Sequence, residues 1–496
     1  MPPTAAPAAT LTSRSPVTGE VLAEYPTAGA AEVAQAVSAG RQAAAWWAQL
    51  SPKQRRDALL RWKRELVTGA EALAAVINAE TGKPLGGAML EIMLAVEHLD
   101  WAARNAHKTL RRRKVASGLL AANQLGLLEY VPLGVVGVIG PWNYPVYTPL
   151  GSISYALAAG NAVVFKPSEY TPGVGRWLAE AWARACPQPV LQTVVGDGAT
   201  GAALASSDVD KVAFTGSAAT ARKVMAACAE RLTPVVIEGG GKDALIVAAD
   251  ADIDAAATAA VFGGLGNAGQ TCAGVERVYV EAPVYDRFLE AVKAKLPAVR
   301  PGDGPDAAYG PMTMPSQVDV VRRHVTDALE RGAFAVAGGP ESIRAPYIDP
   351  IVLAEVDEES VAMTEETFGP TLTVNKVRDL DEALQRANHS RYGLAGSIFT
   401  KDKQRGLALA QRLRTGAASI NSVLGFAAIP ALPFGGLGDS GFGRIHGADG
   451  LREFSRAKAV TWQRYRAPID LMRFDPSPRA VRTALWLFRM RHGRGH

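Results

Sequence analysis

Tyr130–Phe165 reads YVPLGVVGVIGPWNYPVYTPLGSISYALAAGNAVVF and holds no Asp, Glu, Lys or Arg. So apolar a stretch suggests either a membrane span or the inside of a folded domain, and its punctuation decides. Pro132, Pro141, Pro145 and Pro149, with Gly134, Gly137, Gly140, Gly151 and Gly160, cut it into pieces shorter than the ~20 residues a spanning helix needs. What remains is two apolar runs, Val135–Ile139 and Ala162–Phe165, with room for a helix between them. Similar runs follow at Leu191–Val195, Val212–Phe214 and Val235–Ile237, again at helix-sized intervals. Continuous apolar strands separated by helices predict a parallel sheet covered on both faces. The fold class is therefore α/β, with a doubly wound sheet of the kind that takes ligands at the carboxyl ends of its strands.

A second alternating series, near Ala244–Val247, Arg277–Val280, Thr371–Asn375 and Ser397–Phe399, predicts a second α/β domain over about 241–438. The first ~110 residues read as helical. Within them Ser51-Pro52-Lys53-Gln54 is a helix start, because Ser caps, Pro suits the first position and Gln reaches back to a free amide. That helix is predicted to run to about Thr68. A chain of 496 residues exceeds what one core supports, so several domains are expected. With 48% hydrophobic and 20% charged residues and a mean hydropathy of +0.04, the composition is globular rather than disordered.

The net charge of +5 is concentrated at one end. Arg464, Arg466, Arg473, Arg479, Arg482, Arg489, Arg491 and Arg494 face only Asp470 and Asp475, which leaves the rest of the chain near neutral. Charge confined to a tail argues against a nucleic-acid partner. The three cysteines show no CxxC spacing and the seven histidines no ligand spacing, so neither a disulfide scaffold nor a metal is expected. MPPTAAPAAT lacks the features of a secretory leader, and cytoplasmic residence is the default expectation.

Three short segments carry chemistry. Gly269-Gln270-Thr271-Cys272, followed by Ala273-Gly274, sets a thiol among small residues, where a substrate carbon can approach a nucleophile. Glu238 ends the apolar run Val235–Ile237 in a glycine turn, a place for a general base. Asn143 lies in Gly140-Pro141-Trp142-Asn143-Tyr144-Pro145, and its amide can donate to an oxyanion without adding charge. Each also has a plain structural reading: a buried Cys, a capping Glu, a turn Asn.

Together with FKPSE (165–169), FTGS (214–217), EETFGP (365–370) and PFGG (433–436), these segments occur in the order seen in the aldehyde dehydrogenase superfamily, and the chain resembles that family from about Pro16 to Arg464. The resemblance implies an NAD(P)-dependent enzyme in which Cys272 captures an aldehyde as a thiohemiacetal. Hydride transfer then leaves a thioester, which water activated by Glu238 hydrolyses, with Asn143 and the Cys272 amide holding the oxyanion. It assigns Lys166 and Glu169 to the adenosine ribose, Gly216 and Ser217 to the pyrophosphate, and Trp142, Glu366 and Phe368 to the nicotinamide end. Glu169 favours NAD, because a carboxylate repels a 2′-phosphate, while Lys166 admits NADP. The implied layout is a dinucleotide-binding domain (1–114, 134–240 and 439–453), a catalytic domain (241–438), strands that join subunits into a homodimer or homotetramer (115–133 and 454–463), forming a small bridging β segment, and a basic tail (464–496).

This chain departs from the family pattern at Ala221 and Gly239, where Gly and Leu are usual, and at Leu437, where Lys is frequent. Gly196–Gly201 spells a literal GxGxxG but reads as a tight strand-to-helix turn. Gly438-Asp439-Ser440-Gly441 lacks the His and Asp context of a serine protease. Asn421–Phe434, NSVLGFAAIPALPF, has no charged residue. With Phe426, Phe434 and Tyr144 it predicts an apolar tunnel for a medium or long aliphatic or an aromatic aldehyde. Val481, Ala484, Leu485 and Phe488 share one face of a helix over Ala480–Arg491, flanked by Arg482 and Arg489, which suits a peripheral membrane contact or a subunit contact, and equally a helix docked on its own protein. Two rival readings are a CoA-acylating enzyme, which could dispense with Glu238, and an inactive structural or binding member of the fold.

Overall fold

The computed structural model describes residues 9–493 except 119, 120, 305, 468, 470 and 472. Asp470, Arg494 and the first eight residues lie outside that set. The chain divides into two compact units, Met1–Thr109 with Pro132–Ser455, and Leu110–Val131 with Arg456–His496.

Two sheets organise the larger unit. The first has six strands in the spatial order Gly441–Phe442, Val235–Glu238, Lys211–Thr215, Val135–Ile139, Ala162–Lys166, Leu191–Thr193. All its pairs are parallel except that of the two-residue edge strand. The chain runs outward from Val135–Ile139 through two strands, then returns to lay Lys211–Thr215 on its other side. That reversal leaves a crevice beyond the carboxyl ends of the central strands. The second sheet has seven strands, ordered Phe334–Ala337, Ile351–Ala354, Thr371–Val377, Val275–Glu281, Asp243–Val247, Gly396–Phe399, Ser419–Ile420, parallel apart from the first pair. Its central strands are buried along nearly their whole length, although two of them, Val275–Glu281 and Thr371–Val377, carry polar or charged residues among the apolar ones.

Ser51 caps the helix Pro52–Thr68 through the Gln54 amide, and the Gln54 side chain returns the bond to the Ser51 N–H at 2.9 Å. The helical reading of the first ~110 residues needs correction. Thr10–Arg14 and Val21–Pro26 form an antiparallel hairpin before the first helix, Ala30–Gln49. Its strands are short and mostly exposed or half-exposed, so no consistently buried face announces them. The run expected over Leu191–Val195 is a strand only as far as Thr193.

In the smaller unit, Ser455–Gln463, Gln124–Pro132 and Arg113–Val115 form a three-stranded sheet in that order. The helix Pro478–His492 follows, capped by Ser477. Val481, Leu485 and Phe488 are exposed on it, whereas Ala484, read from the sequence as sharing their face, is buried. No helix among the described residues is long and apolar enough to cross a membrane.

Candidate active site

The carboxyl ends of the first sheet's strands carry most of the residues singled out from the sequence. Val135–Ile139 runs into Trp142 and Asn143, Ala162–Lys166 ends on Lys166, Lys211–Thr215 leads to Gly216 and Ser217, and Val235–Glu238 ends on Glu238. Cys272 arrives from the second domain region, just after a short turn, Gly266–Gly269, in which Asn267 and Ala268 adopt positive φ. Gly269 has φ +70°, and a Cβ there would sit 1.9 Å from the Gly369 carbonyl, so the approach to Cys272 requires glycine.

Glu238 and Cys272 lie side by side in the wall of a cavity of about 750 Å³, which they share with Tyr144, and Asn143 precedes Tyr144 in the chain. The Asn143 amide donates to the Gln270 carbonyl at 3.0 Å, which leaves its second hydrogen free. The Tyr144 hydroxyl bonds Thr271 Oγ1 at 3.0 Å. Glu238 is buried, with Thr215 Oγ1 donating to Oε2 at 3.3 Å. Its Oε1 is buried without a hydrogen bond among the described residues. Burial pushes the Glu238 carboxyl up to about 6, and neighbouring Cys272 and Thr215 pull it partly back. Cys272 opens onto the cavity yet lies deep in the protein. Burial pushes its thiol well above the ordinary value, and the acids Glu238, Glu366 and Asp243 push the same way. The resting thiol is therefore protonated, beside a carboxylate able to take its proton.

Two buried ion pairs fasten the loops around this point, and neither was visible as functional in the sequence. Lys83 donates to Glu91 and, at 2.8 Å, to the Asn143 carbonyl. Glu91 Oε1 accepts from the Val146 and Tyr147 amides at 2.7 and 3.1 Å, so the Trp142–Pro145 loop is held on both sides. Lys242 likewise pairs with Glu276, which accepts from the Thr367 and Phe368 amides and fixes the loop that carries Glu366. The spacing of Lys83 and Glu91 along the chain gives no hint of the loop they hold.

Residues expected at a cofactor lie along the crevice. Lys166 is buried, and its one hydrogen bond among the described residues is to Glu169 Oε2 at 3.3 Å, which leaves ammonium donors for ribose hydroxyls. Ser217 caps the helix Ala218–Ala229, so free amides at that start suit a pyrophosphate. Trp142 and Phe368 meet edge to face, ring centroids 5.6 Å apart. Glu366 accepts from the Gly241 amide at 3.0 Å, and burial together with the Glu276 charge pushes it up to about 8. A buried cation short of partners, an open helix start and an aromatic wall fit a nicotinamide dinucleotide.

Gly196–Gly201 contains the Asp197 cap of the helix Gly198–Ala205, a turn as read. Ser440 is fully buried and donates to the Gly240 carbonyl at 2.7 Å, a structural use. The same segment explains Gly239: a Cβ there would lie 2.5 Å from the Asp439 carbonyl, leaving no room for the Leu usual in the family. No cluster of ligating side chains fit for a metal occurs among the described residues.

The far part of the cavity is apolar. Phe426 and Phe434 stack at 5.4 Å, and the loop carrying them is tied down where Ala427 accepts from the Tyr147 hydroxyl at 3.1 Å. Of the charged residues in the wall, Lys83 is paired with Glu91, and Lys295 with Asp254 at 2.6 Å, so neither cation is left uncompensated.

Comparisons with known proteins agree with this geometry. The chain matches the aldehyde dehydrogenase family over residues 4–460. It is 38% identical to a 4,4'-diapolycopene aldehyde oxidase of Methylomonas sp, over 92% of this chain and 87% of that protein. It is 35% identical to a probable NADP(+) succinate-semialdehyde dehydrogenase of Sinorhizobium fredii, over 89% of this chain and 90% of that one. Among solved structures, an indole-3-acetaldehyde dehydrogenase complexed with NAD+ superposes with a TM-score of 0.87 at 32% identity, covering 92% of this chain and 93% of the other. The chain belongs to the aldehyde dehydrogenase family, whose members oxidise aldehydes to acids with NAD or NADP.

Proposed function

We propose that this enzyme oxidises medium or long aliphatic or aromatic aldehydes, with Cys272 as nucleophile, Glu238 as base, and Asn143 with the Cys272 amide as oxyanion donors. The Cys272 proton passes to Glu238 through water, and the thiolate adds to the aldehyde carbon. NAD(P), when bound, supplies the acceptor for the hydride that leaves this carbon. Glu238 then releases the proton it took from Cys272 to bulk water and, as the carboxylate again, takes a proton from the water that attacks the Cys272 thioester, whose tetrahedral intermediate expels the thiolate. Glu238 Oε1, buried and without a protein partner among the described residues, supports that role. Lys166 and Glu169 would hold the adenosine ribose, Gly216 and Ser217 the pyrophosphate, and Glu366, Phe368 and Trp142 the nicotinamide end. The Glu169 carboxylate favours NAD over NADP.

The observation that carries the substrate assignment is an apolar cavity whose two wall cations are each already paired. A semialdehyde carboxylate would find no free cation there and would be buried uncompensated. Of the two relatives, the one named for a diapolycopene aldehyde is therefore the better guide. Hexanal is expected to exceed succinic semialdehyde in kcat/KM by about 100-fold, read as NADH absorbance. A preference for the acid substrate would overturn the assignment. Added CoA is expected to yield no acyl-CoA, because Glu238 directs water to the thioester.

The strands Gln124–Pro132 and Ser455–Gln463, half-exposed or exposed along their length, support assembly as a homodimer or homotetramer through the small sheet. The proposed domain limits follow the two large sheets, with the dinucleotide-binding part around the first and the catalytic part around the second. The basic helix Pro478–His492 supports a peripheral contact with an anionic membrane surface.

A further inference from the structure

The cavity that ends at Cys272 opens among large apolar side chains. Leu90 and Phe262 line it and are also 49% and 55% exposed, so they mark its mouth. Met93, three residues on from Leu90 on the helix Leu85–Leu110, neighbours it on the helix surface and is 59% exposed. Ile429 and Leu432 are exposed on the loop whose Leu424, Phe426, Ala427 and Ala428 form the cavity wall. That loop adjoins the helix Leu85–Leu110 and the helix Ile253–Leu265, which carries Phe262. His98 of the first helix meets the Ala427 carbonyl at 2.8 Å, and a Cβ on Gly263, next to Phe262, would lie 2.8 Å from Val423. Five exposed large apolar side chains gathered at one opening are a contact surface, not scattered exposure.

We propose that this collar docks on a lipid bilayer and admits apolar aldehydes from the membrane directly into the cavity. The inference rests on the apolar substrate reading above. A second protein copy seated on the collar would cover the opening that these residues surround, whereas a fluid apolar phase covers them and still delivers substrate. Leu90 and Phe262 belong to both the collar and the cavity wall, so apolar surface runs from the outside into the cavity. The contact is peripheral, since no described helix can span a bilayer.

The test uses the full-length enzyme with phosphatidylcholine vesicles, with and without phosphatidylglycerol, loaded with hexadecanal, against hexanal in water. Met93→Glu/Ile429→Glu alters the collar at two residues outside the cavity wall. It is expected to lower the rate on vesicle-borne hexadecanal and the sedimented fraction about 10-fold, with hexanal turnover and melting temperature unchanged. Phosphatidylglycerol is expected to raise sedimentation of the wild type. Wild-type delivery and sedimentation by the variant would overturn the proposal, and so would an altered oligomeric state with delivery intact, which would make the collar a subunit contact. Should wild type ignore hexanal, the substrate reading fails instead, and sedimentation still judges the collar.

Discussion

The two ends of the cavity are built on opposite principles. At the reacting end, buried charge is abundant: Lys83 with Glu91 and Lys242 with Glu276 each hold a loop by its backbone, while Glu238 and Glu366 are forced upward in pKa. At the outer end Leu90, Phe262, Phe426 and Phe434 supply shape and almost no polarity. On the proposed reading, charge positions the chemistry and its absence selects an apolar aldehyde. The contrast is sharpest in Cys272→Ala. Turnover is expected to fall at least ~10⁴-fold, since the covalent route is lost, while binding of a long apolar aldehyde is unchanged because the outer end is intact. Steady-state NADH formation and fluorescence titration with an aromatic aldehyde read the two ends separately. Lost binding would show that the ends are not independent.

Glu238 gives the next effect. A base works as the carboxylate, so activity is expected to fall as the pH drops through about 6, the value to which burial raises this group. Glu238→Gln is expected to lower kcat ~10²–10³-fold and to abolish that acid limb, slowing the single-turnover formation of NADH as well, because Glu238 serves both acylation and hydrolysis. The stability sign is opposite. A carboxyl whose folded pKa is raised from 4.5 to about 6 is disfavoured as the ion, so stability is lost as pH rises through that interval, by about 2 kcal/mol. The Gln variant is therefore expected to resist urea better than wild type at pH 8 and no better at pH 4. Unchanged urea midpoints at pH 8 would mean that the burial cost is offset elsewhere.

How much of this was legible in the sequence follows the same division. Val135–Ile139 and Ala162–Phe165 were legible because both faces of the sheet are covered, which makes every residue of a strand apolar. The Pro52–Thr68 helix was legible because its start is a local device, with Ser51 and Gln54 bonding each other's amides. The hairpin of Thr10–Arg14 and Val21–Pro26 was not, since strands of five and six residues with no face consistently buried carry little periodic signal beside Ala-rich helices. Cys272, Glu238 and Asn143 could be singled out because each sits in a short motif. Lys83, Glu91 and Glu276 could not, because each acts on backbone atoms far along the chain, and a side chain that grips backbone imposes no motif at its target.

The smallest effect tests whether buried charge at the reacting end serves the reaction or only the fold. Removing Lys83 alone would leave Glu91 buried and uncompensated, so the informative change is Lys83→Met with Glu91→Gln, which removes both charges and keeps an acceptor for the Val146 and Tyr147 amides. Without the Lys83 grip on its carbonyl, Asn143 loses one of the bonds that aim its amide. The Asn267 side chain still holds that carbonyl at 3.2 Å, so the aim is loosened rather than lost. A kcat loss of about 10-fold at unchanged KM is expected. Placed on an Asn143→Ala background, the same pair of changes is expected to cost nothing more, since the amide it positions is gone. An equal loss on both backgrounds would show that the ion pair stabilises the fold without aiming the amide, and the division between the two ends of the cavity would then rest on Glu238 and Cys272 alone.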